Sequence, residues 1–252
     1  MRLYCLRKLL GFPGYCIAKL AIEPRRGQRT VILELKRLRG PHACGQCQRP
    51  VRKPHSSWWI EVQHLPLWQY PTFLRVRRFR VRCPDCGLSL EPLPFAADGP
   101  MVTRPLAALV HELCKVMTVK AAGALMLLHR ATVKTIDKQA LEKIQTERPL
   151  DGITVLGVDE IAVGRGQNYW TMLSALEGPR GPELLNIVSG RKEKDLRKFW
   201  RWFGVERAKL ITHGVMDMWK PYRNSFRAHC PGITIIYDKF HIIRHLLDAL
   251  NK

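Results

Sequence analysis

The spacing of apolar positions changes character twice along the chain. In the first third, alternation dominates: Arg75, Arg77, Arg78, Arg80 and Arg82 are interleaved with Val76, Phe79 and Val81, which predicts a strand with one basic face. Over residues 106–144 apolar positions recur at helical spacing with almost no breakers, so two or three helices are expected. Beyond Gly152, β-branched runs at 153–158, 169–175 and 183–188 are separated by glycine-containing turns and predict an antiparallel meander. A basic amphipathic helix at 192–203, a strand at 210–216, a helix at 218–229 and a strand at 233–237 follow, and Asp238 opens a last helix.

Breakers divide these patterns. The stretch 91–104 carries Pro92, Pro94, Gly99 and Pro100 and reads as a connector, and residues 149–152 mark a second boundary. Three regions result: a β-rich module at 1–98, a helical segment at 99–150 and an α/β region at 151–252. The order β-β-β-α-β-α-β-α of the last region is that of a ribonuclease-H-like mixed sheet flanked by helices, so the chain as a whole reads as a multidomain α/β (α+β) protein.

Charge and cysteines then narrow the chemistry. Forty-two Lys and Arg against 21 Asp and Glu leave +21, which points to a polyanionic partner, nucleic acid before a membrane. No apolar run approaches the roughly 20 residues of a spanning helix. Residues 1–14 are too short and interrupted in their apolar content for a signal peptide, so a cytoplasmic protein is expected. Cys44-Gly-Gln-Cys47 and Cys83-Pro-Asp-Cys86 are two knuckles whose four thiolates can close around one structural zinc. His42, His55 and His64 are the alternative ligands, and Trp58, Trp59, Leu65, Trp68, Tyr70 and Phe73 predict a small β-rich insert between the knuckles. Arg75, Arg77, Arg78 and Arg80 would present charge to phosphates. Within 118–136, small Ala121, Ala122 and Gly123 and a break near Leu128 suggest a helix-turn-helix with Arg130, Thr132 and Lys134 outward; a plain helical bundle is the competing reading.

Asp159 follows the run 153–158 and Asp217 follows 210–216, so each carboxylate is expected at a strand end. Carboxylates at neighbouring strand ends can share magnesium or manganese for phosphoryl transfer, whereas a single Asp after a strand is usually a turn or cap residue. Asp238, closing the fifth strand, is a third candidate.

Several strings carry a family resemblance: Gly157-Val158-Asp159-Glu160-Ile161-Ala162, Gly190-Arg191, Met216-Asp217-Met218-Trp219 with Tyr222, and Asp238-Lys239-Phe240-His241 with Arg244-His245-Leu246. Together they resemble the ISL3 insertion-sequence transposases, which also begin with a cysteine-paired zinc module and a helix-turn-helix. The resemblance implies an enzyme that cuts and joins DNA at transposon ends, with divalent metal held by two aspartates and a later glutamate. Asp159 matches the first aspartate and Asp217 the second by topology; Asp238 with His241 matches an Asp-x-x-His signature, and whether Asp238 is itself the second catalytic aspartate stays open. The glutamate lies beyond that string in such families, so a copy ending at Lys252 is expected to lack it. Glu160 should point to the face opposite Asp159. Gln167, Thr212-His213-Gly214 and the absence of an aspartate at 175–178 depart from the family pattern. Partners implied are transposon-end DNA and a second copy or a full-length transposase; a DNA-binding regulator without catalysis, and a zinc-containing nuclease or RNA-processing enzyme, are the alternatives.

Overall fold

A computed structural model describes residues 11–25, 27–164 and 168–250, and divides the chain into two compact units, 1–147 and 148–252. In the first, β1 (Tyr15–Arg25) and β2 (Gln28–Arg37) form a hairpin, β2 runs parallel to β6 (Tyr70–Cys83), and β6 pairs antiparallel with β5 (Ser56–Leu67) and β7 (Gly87–Leu90). The short pair β3 (His42–Ala43) and β4 (Pro50–Val51) holds the first knuckle. Alternation places Leu33, Leu35, Leu74, Val76 and Val62 on one face, where Leu93 and Phe95 pack against them. The predicted connector is therefore no loose linker. Phe95 is buried and Glu91, only 6% exposed, is anchored by Arg37 and His42.

The expectation of one basic face on β6 is corrected. Up to Val76 the even-numbered residues are buried, but from Val81 the buried side chains are odd-numbered, Val81 and Cys83. The strand changes the face it buries on its way to the second knuckle, so its arginines divide between two faces.

Three helices complete this unit. Helix α1 (Arg104–Val116) is capped by Thr103 Oγ1, which accepts from the Leu106 amide; α2 (Val119–Met126) is capped by Thr118 in the same way; α3 (Arg130–Glu147) follows. The segment is stitched to β5: Gln63 bridges Val102, its amide reaches the Met126 carbonyl, and His64 bonds Thr103. Gly123 is required where α2 meets the turn, because a Cβ there would lie 2.8 Å from the Leu128 carbonyl oxygen. The turn lacks glycine at its left-handed position, and Leu127 takes φ 53° instead. Leu127 is half exposed, so it recovers little of that strain through packing. Leu127→Gly should raise stability by about 1 kcal/mol in a urea titration; a destabilised variant would show that the leucine side chain matters more than its backbone.

The second unit is a five-stranded mixed sheet in the order β10-β9-β8-β11-β12. Strands β8 (Val155–Ala162), β9 (Tyr169–Glu177) and β10 (Glu183–Ser189) form the antiparallel meander, while β11 (His213–Met216) pairs parallel with β8 and with β12 (Thr234–Tyr237). Helices α4 (Glu193–Phe203), the single turn α5 (Val205–Ala208), α6 (Lys220–His229) and α7 (Lys239–Leu250) are interspersed. One face of the sheet, with Leu156, Val158, Leu173, Leu185 and Met216, buries Phe199, Trp200 and Phe203 of α4 and Tyr222 and Phe226 of α6. Each of the larger side chains contributes about 1.5–3 kcal/mol by leaving water. Two boundaries differ from expectation. The strand foreseen at 210–216 begins only at His213, because α5 and its turn occupy the preceding residues and leave Leu210 exposed. Strand β8 runs on to Ala162, paired with β9 after its ladder with β11 has ended.

Candidate metal centres

The first centre is built by β6, β7 and the β3–β4 loop. The Sγ atoms of Cys44, Cys47, Cys83 and Cys86 all lie within 4.8 Å of one another, and Cys47 and Cys83 are 3.7 Å apart. Tetrahedral zinc with Zn–S near 2.3 Å needs sulfurs about 3.8 Å apart, so the donor set fits a structural zinc with no position left for water. Ser89 Oγ and the amides of the knuckle hydrogen-bond Cys44 and lower its thiol pKa, whereas the neighbouring Cys47 and Cys44 sulfurs raise that of Cys86. Gly45 is forced by the approach of β7, since a Cβ would lie 2.2 Å from the Leu90 carbonyl oxygen. The candidate histidines are engaged elsewhere, His42 with Glu91 and His64 with Thr103, and His55 is not part of the cluster. Of the scattered cysteines, Cys230 is buried, which pushes its thiol up to about 12.

Strand register builds the second centre. Gly157 pairs with Val215 and Met216 with Tyr237, so Asp159, Asp217 and Asp238 fall at one level on three adjacent parallel strands. They project from the face opposite the helix-packed core, and all three line one cavity of about 290 Å³ with Gly157, Ser174 and Val215. Asp159 sits within β8 rather than at its end, where the strand has lost its parallel neighbour. Asp217 Oδ1 accepts from the Trp219 amide and Asp238 Oδ1 from the Phe240 amide, so each also caps the turn after its strand. The cysteine set is the only group of three or more among the described residues that closes to within 4.8 Å; the three aspartates share a cavity without closing that far.

A network that sequence reasoning missed lies behind this cavity. Glu160 points to the other face, where its carboxylate meets Arg191 at 3.2 Å and the Tyr222 hydroxyl at 3.3 Å. The Arg191 guanidinium lies 4.1 Å from the Tyr169 ring centroid and 4.7 Å from that of Trp219, whose indole N–H donates to the Arg191 carbonyl. Burial, with Glu160 nearby, drives the Tyr222 hydroxyl far above its ordinary pKa, so it stays a donor. Gly190 takes φ +94°, and a Cβ there would strike the carboxylate of Asp195, which accepts from the amide of Lys192, the N-cap of α4. Arg191 thus ties the neighbour of Asp159 to the turn that orients Asp217. Arg191→Ala should weaken divalent-ion binding roughly tenfold, with Arg191→Lys intermediate; calorimetric titration with Mn²⁺ checks this, and unchanged affinity would separate the network from the site. The only forewarning was the motif strings themselves, which held these residues without a role.

The predicted DNA contacts are distributed unevenly. Arg75 is consumed in an ion-pair network with Arg25, Glu23 and Glu61, and Arg78 is half-buried, which lowers its pKa. Arg77 and Arg80 are exposed and lie over the Trp59 and Trp58 rings. Arg130 and Lys134 are exposed on α3, Thr132 is half-buried, and Val133 and Ile136 face inward. His241 falls on the first turn of α7, but its side chain, like Gln167, lies outside the described residues.

Both units match transposases. A transposase family model covers residues 156–252, and the zinc-finger of transposases IS204/IS1001/IS1096/IS1165 covers residues 40–86. The transposase for insertion sequence element IS1001 of Bordetella parapertussis is 30% identical over 250 residues, which are 97% of this chain and 61% of that protein. The chain belongs to the ISL3 family of insertion-sequence transposases. It spans about three-fifths of the length of that relative.

Proposed function

We propose that the protein is a DNA transposase whose second unit is a ribonuclease-H-like catalytic domain that positions divalent metal for strand cleavage and transfer. The carrying observation is the shared level of Asp159, Asp217 and Asp238 on three adjacent strands lining one cavity. Asp159 and Asp217 are the ligands of this reading, with Asp238 as the third, and oxygen donors of this kind suit magnesium or manganese. Bound there, the metal would supply charge neutralisation at the phosphate and a lowered pKa at the attacking hydroxyl. Glu160 and Arg191 hold the strand ends from behind, and Tyr222 keeps its proton.

DNA is held by the first unit. The exposed edge of α3, with Arg130 and Lys134, acts as the recognition helix of a helix-turn-helix at double-stranded transposon ends, and Arg77 and Arg80 contribute phosphate contacts. Paired thiols favour action in the reducing cytoplasm, and a homodimer is the expected working form. The third carboxylate that the resemblance implies is a glutamate that follows the Asp-x-x-His string in the family's order. A second reading, a competitor that occupies ends without cutting, is favoured by the open spacing of the three aspartates.

Mobility-shift and cleavage assays, using the element's own terminal sequences and unrelated duplex with Mg²⁺, test both. Preference for the ends is the expected result, and Arg130→Ala with Lys134→Ala should reduce it. Equal affinity for unrelated DNA would overturn the end-binding role. Efficient cutting that Asp159→Ala abolishes would support catalysis over competition.

A further inference from the structure

The solvent face of the first unit's sheet is split into two electrostatic halves. At one end Arg25 and Arg75 are neutralised by Glu23 and Glu61, with N–O distances of 2.6–3.2 Å. At the other end a cleft of about 300 Å³ crosses the strands, lined by Lys36, Trp59, Arg77, Phe79 and Glu34 among others. Trp59 is directly opposite Arg77 across the β5–β6 ladder and is 48% exposed. Its ring lies 5.3 Å from the guanidinium carbon, and Arg77 also reaches Ser57 Oγ at 3.3 Å. Phe79 also lines the cleft, half-buried with its ring 4.7 Å from that of His42. Neither Lys36 nor Arg77 forms an ion pair among the described residues, although the chain carries carboxylates on the same sheet.

We infer that this cleft binds unpaired bases of single-stranded DNA, with Trp59 and Phe79 as stacking surfaces and Lys36 and Arg77 as phosphate contacts. Two cations alone would serve any polyanion. The exposed indole beside them adds a demand that a duplex cannot meet, since stacked base pairs cover their own faces. Base-on-aromatic stacking is the usual device of sheet surfaces that hold single strands, and it tolerates many sequences because every base has a π-face. Glu34, the acid lining the cleft, repels phosphate but can accept from the exocyclic amino group of cytosine, which thymine lacks. The site is separate from the aspartate cavity and uses no residue of it. The proposal rests on the DNA-binding reading only for the choice of DNA.

Fluorescence anisotropy of a labelled short oligodeoxycytidine and of a blunt duplex, with the zinc-loaded chain, tests the assignment. Trp59→Ala should weaken single-strand binding roughly tenfold and duplex binding less than about twofold, while Trp59→Phe keeps most of the affinity. Arg77→Ala should weaken both and flatten the salt dependence. If Trp59→Ala loses zinc or its cooperative melt, Trp59→Leu against Trp59→Phe makes the same comparison in a folded chain. The proposal is overturned if single-strand affinity is unchanged without the indole, if both affinities fall equally, or if the wild-type chain does not bind the oligonucleotide. The titrations are run without divalent cation, which the aspartate cavity needs and this cleft does not, so loss of the catalytic reading would not be mistaken for loss of the cleft.

Discussion

Cys83→Ser should eject the zinc and lower the melting temperature of the first unit by about 10 °C or more. Cys83 is 2% exposed at the end of β6, the strand that pairs with β2, β5 and β7, so its ligand bond fastens the centre of the sheet rather than a peripheral loop. Structural zinc contributes roughly 10–16 kcal/mol in isolated fingers. Here a core of Leu33, Leu74, Val76 and Val62 remains without it, so only part of that is lost on substitution. About 3 kcal/mol suffices for the stated shift in a unit of this size. A chelator should reproduce the effect on the wild-type chain, and calorimetry with metal analysis would show it. A serine variant that retains one zinc and melts unchanged would mean that the cluster does not hold the fold.

The second large effect is on the aspartates, and its signature is the opposite. Asp159→Asn and Asp217→Asn should each weaken Mn²⁺ binding about a hundredfold while leaving the metal-free protein as stable as before, or slightly more so. Strands lie about 4.8 Å apart, and three carboxylates level with one another on adjacent strands repel in the absence of a cation. Asp159 is exposed, and its one described hydrogen bond is to the next amide, so little packing depends on it. Asp238→Asn distinguishes the two candidates for the second ligand: if Asp238 carries that role, its loss should match that of Asp159 and Asp217→Asn should be the milder change. A uniform fall in stability without a change in metal affinity would mark these residues as turn caps.

Much of this was legible in the residues, and the gaps have physical causes. The alternation and the turn glycines of 153–237 were sufficient for the strand and helix order of the second unit, because a half-buried meander writes its period directly into the sequence. Cysteine spacing likewise sufficed for the four-sulfur cluster. The arginines of β6 misled because a strand that changes its buried face keeps its alternation while redirecting its side chains; Arg75 and Arg77 share one face, but only Arg77 escapes the carboxylates of β1 and β5. Those partners, Glu23 and Glu61, stand 52 and 14 residues from Arg75 and carry no local signal. The Arg191 network was hidden for the same reason, since Tyr169, Glu160, Trp219 and Tyr222 meet only through the fold.

Iron substituted for magnesium offers the most direct trial of the central claim, that Asp159 and Asp217 grip one cation together. With Fe²⁺, ascorbate and peroxide on the zinc-loaded chain, locally generated radicals should cut the backbone at both strand ends, near residues 157–160 and 215–218. Mn²⁺ should suppress both cuts and Asp159→Asn should abolish both at once. Cutting near only one of these segments, or cuts at 215–218 that persist unchanged without the Asp159 carboxylate, would contradict the shared site.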